Sequence, residues 1–216
     1  MAVPAYKAIL SKSGTSTAFT NEGMTLVSGN VYRITNSALS VWDRNVTPTF
    51  TEDDGLGGRQ NIPASNIKWI DYLFGMVEFN AAVTPPVQVS GNYLPMQRIA
   101  EAKSFDIELT TTMLDTTELD NPNDYRSFVY GIRNVSLSIS KLYNVNDDFF
   151  STLSNNQPIV VTIKPDPNDA QELRGWYVIS GHSPSGDRDS LETLELNFQL
   201  DGEPRTNQDY KSFSWR

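Results

Sequence analysis

The sequence predicts an all-β fold that carries one short α-helix, and three observations predict it. First, apolar residues alternate with polar ones over Phe105, Ile107 and Leu109, over Val135, Leu137 and Ile139, and over Leu194, Leu196, Phe198 and Leu200. That is the period of strands with one buried face. Second, Ile159-Val160-Val161-Thr162-Ile163 is β-branched and apolar, as a buried strand is. Third, the stretch with helical spacing is brief. Asn146-Asp147-Asp148 offers a cap and two carboxylates to the positive end of a helix dipole, Phe149, Phe150 and Leu153 follow on one side, and Asn155-Asn156 and Pro158 end it.

The 216 residues suffice for one large domain or two small ones with a real core. There is no Cys, which excludes a disulfide frame and thiol or Cys-metal chemistry. No apolar run approaches the roughly 18 residues of a membrane span. Met1-Ala2-Val3-Pro4 lacks the basic and apolar regions of a signal peptide, so synthesis and assembly in the cytoplasm are expected. Residues 1–100 carry 7 basic and 7 acidic side chains, while residues 101–216 carry 10 basic and 19 acidic, so the net −9 resides in the second half. A protein that grips nucleic-acid phosphates needs the opposite sign. Acidity by itself also serves solubility.

In chain order, residues 1–30 are small and polar, with a loop at Ser11 to Ser16, and Val31 to Thr35 forms a strand. Val46 to Phe50 suggests an edge strand because Pro48 interrupts it. Glu52 to Gly58 is a loop whose glycines lack the Lys-Ser/Thr ending of a phosphate cradle. Ile67 to Phe79 is either a hairpin bent at Gly75 or one bulged strand. Val87 to Val89 is short, and Gly91-Asn92 forms a turn. Leu114 to Pro122 is a polar excursion after the 105–109 strand. Tyr125, Phe128 and Val129 have helical spacing that Gly131 breaks, so this stretch is a turn of helix or, the preferred reading, the lead-in to the strand at 135. Leu173 to Ile179 is a strand with a bulge at Gly175, and Pro184 to Asp187 is a turn. The polar tail from Asp201 ends in Tyr210, Phe213 and Trp215, which either dock on a neighbouring subunit or fold back on their own domain.

Candidates for chemistry are sparse. His182 is the lone histidine, and no nucleophile elbow accompanies it. Adjacent carboxylates such as Asp53-Asp54 point to opposite faces when extended, and Asp147-Asp148 is explained as a helix cap. Asp166, Asn168 and Asp169 lack the Gly and distal Glu of a calcium loop. Trp42, Trp69, Trp176 and Trp215 raise a sugar platform, although Trp69 and Trp176 lie in strands.

One ordered set of motifs points further. It runs from Phe105-Asp106-Ile107-Glu108-Leu109 and Leu114-Asp115-Thr116-Thr117 to Tyr125 through Ile139. It continues with Asp147-Asp148-Phe149-Phe150, the 159–163 strand, Arg174-Gly175-Trp176-Tyr177-Val178 and Leu194 to Gly202. The set resembles the major tail (tail tube) proteins of long-tailed bacteriophages over about residues 104–202. The resemblance implies a β-sandwich with a flanking helix. It also implies hexameric rings whose strands join into one barrel, stacked into a tube through which DNA leaves the virion.

Under that resemblance the chain divides into an N-terminal β-rich segment (1–95), a tail-tube-like sandwich (96–202) and a C-terminal arm (203–216). The implied partners are further copies of the chain and other tail proteins (tape measure, distal tail and terminator), with DNA as a non-specific passenger. Neither cofactor, metal nor catalysis is implied, and the location is the phage tail. Asp115, Thr116, Thr117, Glu118, Leu119 and Asp120 correspond to a loop that reaches a neighbouring subunit, with Tyr210, Phe213 and Trp215 as further contacts. Asp106, Glu108 and Glu195 are the candidates to line an acidic lumen. Competing readings are a distal tail or terminator ring, a carbohydrate-binding or adhesion sandwich using the tryptophans, and a hydrolase using His182.

Overall fold

The computed structural model describes residues 9–99, 102–115, 128–142, 158–166, 171–185, 192–202 and 213–215. Among them the regular structure is β, apart from two 3-10 turns at Ser37–Leu39 and Ala64–Asn66. In chain order the strands are β1 (Ile9–Ser13), β2 (Thr17–Ser28), β3 (Val31–Ile34), β4 (Thr49–Asp53), β5 (Arg59–Asn61), β6 (Ile67–Asp71), β7 (Met76–Phe79), β8 (Val87–Tyr93), β9 (Met96–Arg98), β10 (Ala102–Asp115), β11 (Phe128–Leu142), β12 (Ile159–Lys164), β13 (Leu173–Ser185), β14 (Thr193–Leu200) and β15 (Phe213–Trp215). The helix expected from Asn146 lies outside the described residues.

The chain forms two compact units. The first comprises Met1–Ile99, Ile159–Trp176 and Asp201–Arg216; the second comprises Ala100–Pro158 and Tyr177–Leu200. Residues 96–202 therefore contribute to both, and β13 passes from one to the other at Trp176.

The first unit has two layers. One is a seven-stranded antiparallel sheet in the order β5-β4-β8-β2-β3-β7-β6. The other contains β9, β1 and β12, together with the start of β13, on which β15 pairs. Val160 and Trp176 belong to the same apolar cluster as Phe19, Trp42, Phe50 and Phe79, so the core fills the space between the layers. Trp42 is 1% exposed and its ring lies 6.1 Å from that of Phe50 and 6.3 Å from that of Phe19. The second unit's described strands form one antiparallel sheet, β10-β11-β14 with the Tyr177–Ser185 part of β13.

Several elements differ from expectation, each for a physical reason. The polar N-terminal region contains the twelve-residue β2. Its side chains are mostly exposed, so it shows no apolar alternation to read. Strand β4 is flanked by β5 and β8, and Pro48 sits just before it rather than inside it. Gly91-Asn92 continues β8 instead of turning. A Cβ on Gly91 would lie 3.3 Å from Pro48, so this glycine admits a close neighbour. β10 runs on through Leu114-Asp115, and β13 continues through Pro184-Ser185. The irregularity in β13 falls between Ile179 and Gly181, while Gly175 pairs regularly with Phe213.

Ile67 to Phe79 is a hairpin, with β6 and β7 joined through Gly75 at φ +59°. A Cβ there would lie 2.9 Å from the Ser40 carbonyl oxygen and 2.8 Å from the Ile34 side chain, while the Gly75 carbonyl accepts from Ile34 N at 2.9 Å. Gly75→Ala is expected to cost about 2–4 kcal/mol, from the left-handed backbone and the clash together. Urea unfolding midpoints measure it, and a loss under about 1 kcal/mol would contradict this geometry.

Candidate functional site: the polar face of the second sheet

The second unit's sheet has unlike faces, set by the alternation of its strands. On one face lie Phe105 and Ile107 of β10, the buried Val135, Leu137 and Ile139 of β11, and the buried Leu194, Leu196 and Phe198 of β14. The other face is polar. Register aligns Glu108 with Ser136, Gln199 and Val178, then Asp106 with Ser138, Asn197 and Gly181, then Ser104 with Ser140, Glu195 and Ser183. Paired positions share a face. The three acidic residues singled out in the sequence thus lie on one side of one sheet, all exposed. No Lys or Arg stands among the paired residues of this face, and Lys141 is buried on the opposite one.

Small hydroxyls and amides knit this surface. Ser138 Oγ donates to Asn197 Oδ1 at 2.8 Å, Gln199 Nε2 donates to Asn134 Oδ1, and Ser180 Oγ donates to the Asn197 carbonyl at 3.1 Å. Asn134, Asn197 and Gln199 were not singled out in the sequence, although the alternation of Asn197 and Gln199 with Leu196 and Phe198, and of Asn134 with Val135, marks the face. The carboxylates are spread rather than converged. Asp106 and Glu108 are one pleat repeat apart, roughly 7 Å, and Glu195 is two strands away from β10, roughly 10 Å across the sheet. Spacings of this size give a diffuse negative field over about a Debye length, not a shared-proton dyad.

The other singled-out residues fall elsewhere. Asp115 is exposed at the end of β10, while Thr116, Thr117, Glu118, Leu119, Asp120 and Tyr210 lie outside the described residues. Phe213 and Trp215 lie on β15, which pairs with Leu173 and Gly175 of the same chain, so this part of the tail folds back. His182 is exposed on β13 opposite Leu196. Trp42 and Trp176 are buried, and half-buried Trp69 donates its indole N–H to Glu78. A sugar platform needs open rings, so Trp42 and Trp176 do not provide one.

The glycine-rich loop is closed on itself. Asp54 Oδ1 accepts from Leu56 N and Gly58 N, both at 2.8 Å, and Asp53 Oδ1 accepts from Gly55 N at 2.7 Å. These amides are already committed, so they do not form a phosphate cradle. The Leu56 and Gly58 N–H groups hold the Asp54 carboxyl below the ordinary range. What this bond contributes is present above the unfolded value and is lost as pH falls through the folded one.

Two solved structures are similar to part of this chain. A chain from the tail of an empty gene transfer agent particle with C6 symmetry is 15% identical with a TM-score of 0.46, covering 56% of this chain and 87% of that one. A chain from the virion of a native gene transfer agent particle is 16% identical with a TM-score of 0.45, covering 56% and 88%. No family model and no curated protein matches the chain.

Proposed function

We propose that the chain is a structural protein of a phage-type tail, assembling as stacked hexameric rings into the tube that carries DNA out of the virion. The observation that carries this reading is the polar face of β10, β11, β14 and β13, which bears Asp106, Glu108 and Glu195 and has no Lys or Arg among its paired residues. Turned toward a lumen, such a face repels the phosphate backbone and keeps a passing duplex from sticking. The ordered motifs from Phe105 to Gly202 support the same reading.

The edge of the sheet supports self-assembly. Among the described strands β10 is an end strand, fourteen residues long, and on it Leu109 is 65% exposed and Met113 58% exposed. A long strand edge with exposed apolar side chains is an aggregation site unless another chain covers it. Closure of strands around a ring removes such edges, and a ring face that meets the next ring head to tail grows a filament. In this reading Asp115 to Asp120 reach a neighbouring subunit, and residues 1–95 and 203–216 decorate the outside of the tube or seal one ring to the next. The tape measure, distal tail and terminator proteins are the further partners, and assembly takes place in the host cytoplasm.

Negative-stain microscopy of the purified full-length chain tests the proposal. Long tubes of uniform width are expected. Lone rings would favour a distal tail or terminator protein, and monodisperse monomer under all conditions would overturn both.

A further inference from the structure

The first unit contains a cleft of about 430 Å³ that neither the polar face nor the tail reading uses. Its floor is one face of β1, β12 and the start of β13. Register pairs Ile9 with Lys164 and Ser11 with Thr162, and Glu172 and Arg174 complete it. Further along the same faces of β12 and β13, Val160 and Trp176 enter the apolar core. The face therefore changes from apolar to polar where the cleft begins.

Two polar groups in this lining are buried without a partner among the described residues, the Thr162 hydroxyl and Arg174 Nε. Their residues are 7% and 8% exposed. Native interiors leave few such groups, and each calls for an explanation. The other guanidinium nitrogens of Arg174 are committed: Nη1 to Ser40 Oγ at 2.9 Å and to the Leu73 carbonyl, Nη2 to Glu172. Burial lowers the Arg174 pKa and the Glu172 carboxylate opposes that shift. Lys164 is half-buried on the rim and has no ion-pair partner among the described residues. Glu172 balances one of the two cations, so the cleft has a local positive surplus in a chain of net charge −9.

The unused groups are thus an N–H donor, a hydroxyl and an ammonium, beside the apolar side chains of Ile9, Val41 and Met96. We propose that this cleft binds a carboxylate on a short aliphatic body, carried either by a small organic acid or by an acidic side chain of another polypeptide. A carboxylate accepts from several donors at once and matches a single surplus charge. Its aliphatic body occupies the apolar side, in a volume within the ordinary range of ligand sites. Inorganic phosphate would bring more charge and no apolar part. The inference does not depend on the tail reading.

Thermal unfolding of the full-length protein at fixed ionic strength tests it. Butyrate and the blocked peptide acetyl-Ala-Glu-Ala-amide are compared at about 20 mM with sodium chloride. At least one is expected to raise the Tm by about 3 °C. A shift with butyrate identifies a free organic acid as sufficient, and a shift with the peptide alone identifies a polypeptide side chain. Lys164→Met on the rim and Thr162→Val, which keeps the shape without the hydroxyl, are each expected to lose at least half of that shift while remaining folded. No shift with either probe, an equal shift with chloride, or a full shift in both variants would overturn the proposal.

Discussion

Asp201→Ala is expected to destabilise the first unit by about 3–5 kcal/mol, the cost of breaking a buried ion pair by removing one partner. Arg44 and Asp201 form that pair with side chains 2% and 12% exposed, so solvent screens it little. The guanidinium also stacks over Trp176 at 4.4 Å, and Asp201 N donates to the Trp176 carbonyl at 2.8 Å. Asp201 is the first residue after β14, where the chain returns to the first unit. It is thus held through both side chain and backbone. Removing its carboxylate takes from the buried guanidinium the counter-charge that Asp201 supplies. Asp201→Asn keeps the shape and loses the charge, and is expected to cost less. The double variant Arg44→Met with Asp201→Leu is expected to recover most of the stability, because apolar side chains of similar volume often replace a buried pair without loss. Urea unfolding of the wild type and the three variants measures these differences. A cost under about 1 kcal/mol for Asp201→Ala would show that the pair is well solvated.

What the sequence made legible was what a single strand reveals about itself. Val135, Leu137 and Ile139 and the Leu194 to Phe198 run alternate, and both bury the alternating side chains. Ile159 to Ile163 is apolar and buried throughout. β2 was illegible for the converse reason, since a strand that leaves most of its side chains in solvent carries no pattern of burial. Gly91 misled because a glycine permits a turn and a close approach alike, and here the approach of Pro48 governs. The candidate site was half legible. That Asp106 and Glu108 share a face follows from their spacing, but placing Glu195 beside them requires the register through Ser138 and Ser140, which pairing alone sets. The Arg44–Asp201 pair and the β1–β12 register join residues about 150 positions apart, and no local pattern announces either. The cleft around Thr162 and Arg174 depends on such long-range pairing, so neither residue stood out as a site beforehand.

The triple variant Asp106→Lys, Glu108→Lys, Glu195→Lys carries the acidic-lumen reading to its sharpest test. Each replacement moves the chain by two charges, and all three positions are exposed on one face. The opposite face keeps its buried Leu137, Ile139, Leu196 and Phe198, so the sheet is expected to form and rings to stack as before. The interaction with DNA is expected to change sign. Wild-type tubes should retain no duplex. Variant tubes should retain it at low salt and release it as salt rises, because cations that displace counterions from phosphates give affinities that fall steeply with ionic strength. For about six phosphate contacts the loss is on the order of 10³-fold between 50 and 200 mM salt. A lumen that grips its passenger should also slow genome ejection from particles built with the variant. Retention on filters reads the first effect, and release of DNA from particles reads the second. The pair of readouts also locates the face. Retention together with slowed ejection supports a lumen. Retention with normal ejection would put the face on the outside of the tube, where it meets free DNA but not the departing genome. If the variant tubes form and show neither effect, this face does not meet DNA, and repulsion of the passenger is not the reason for its acidity.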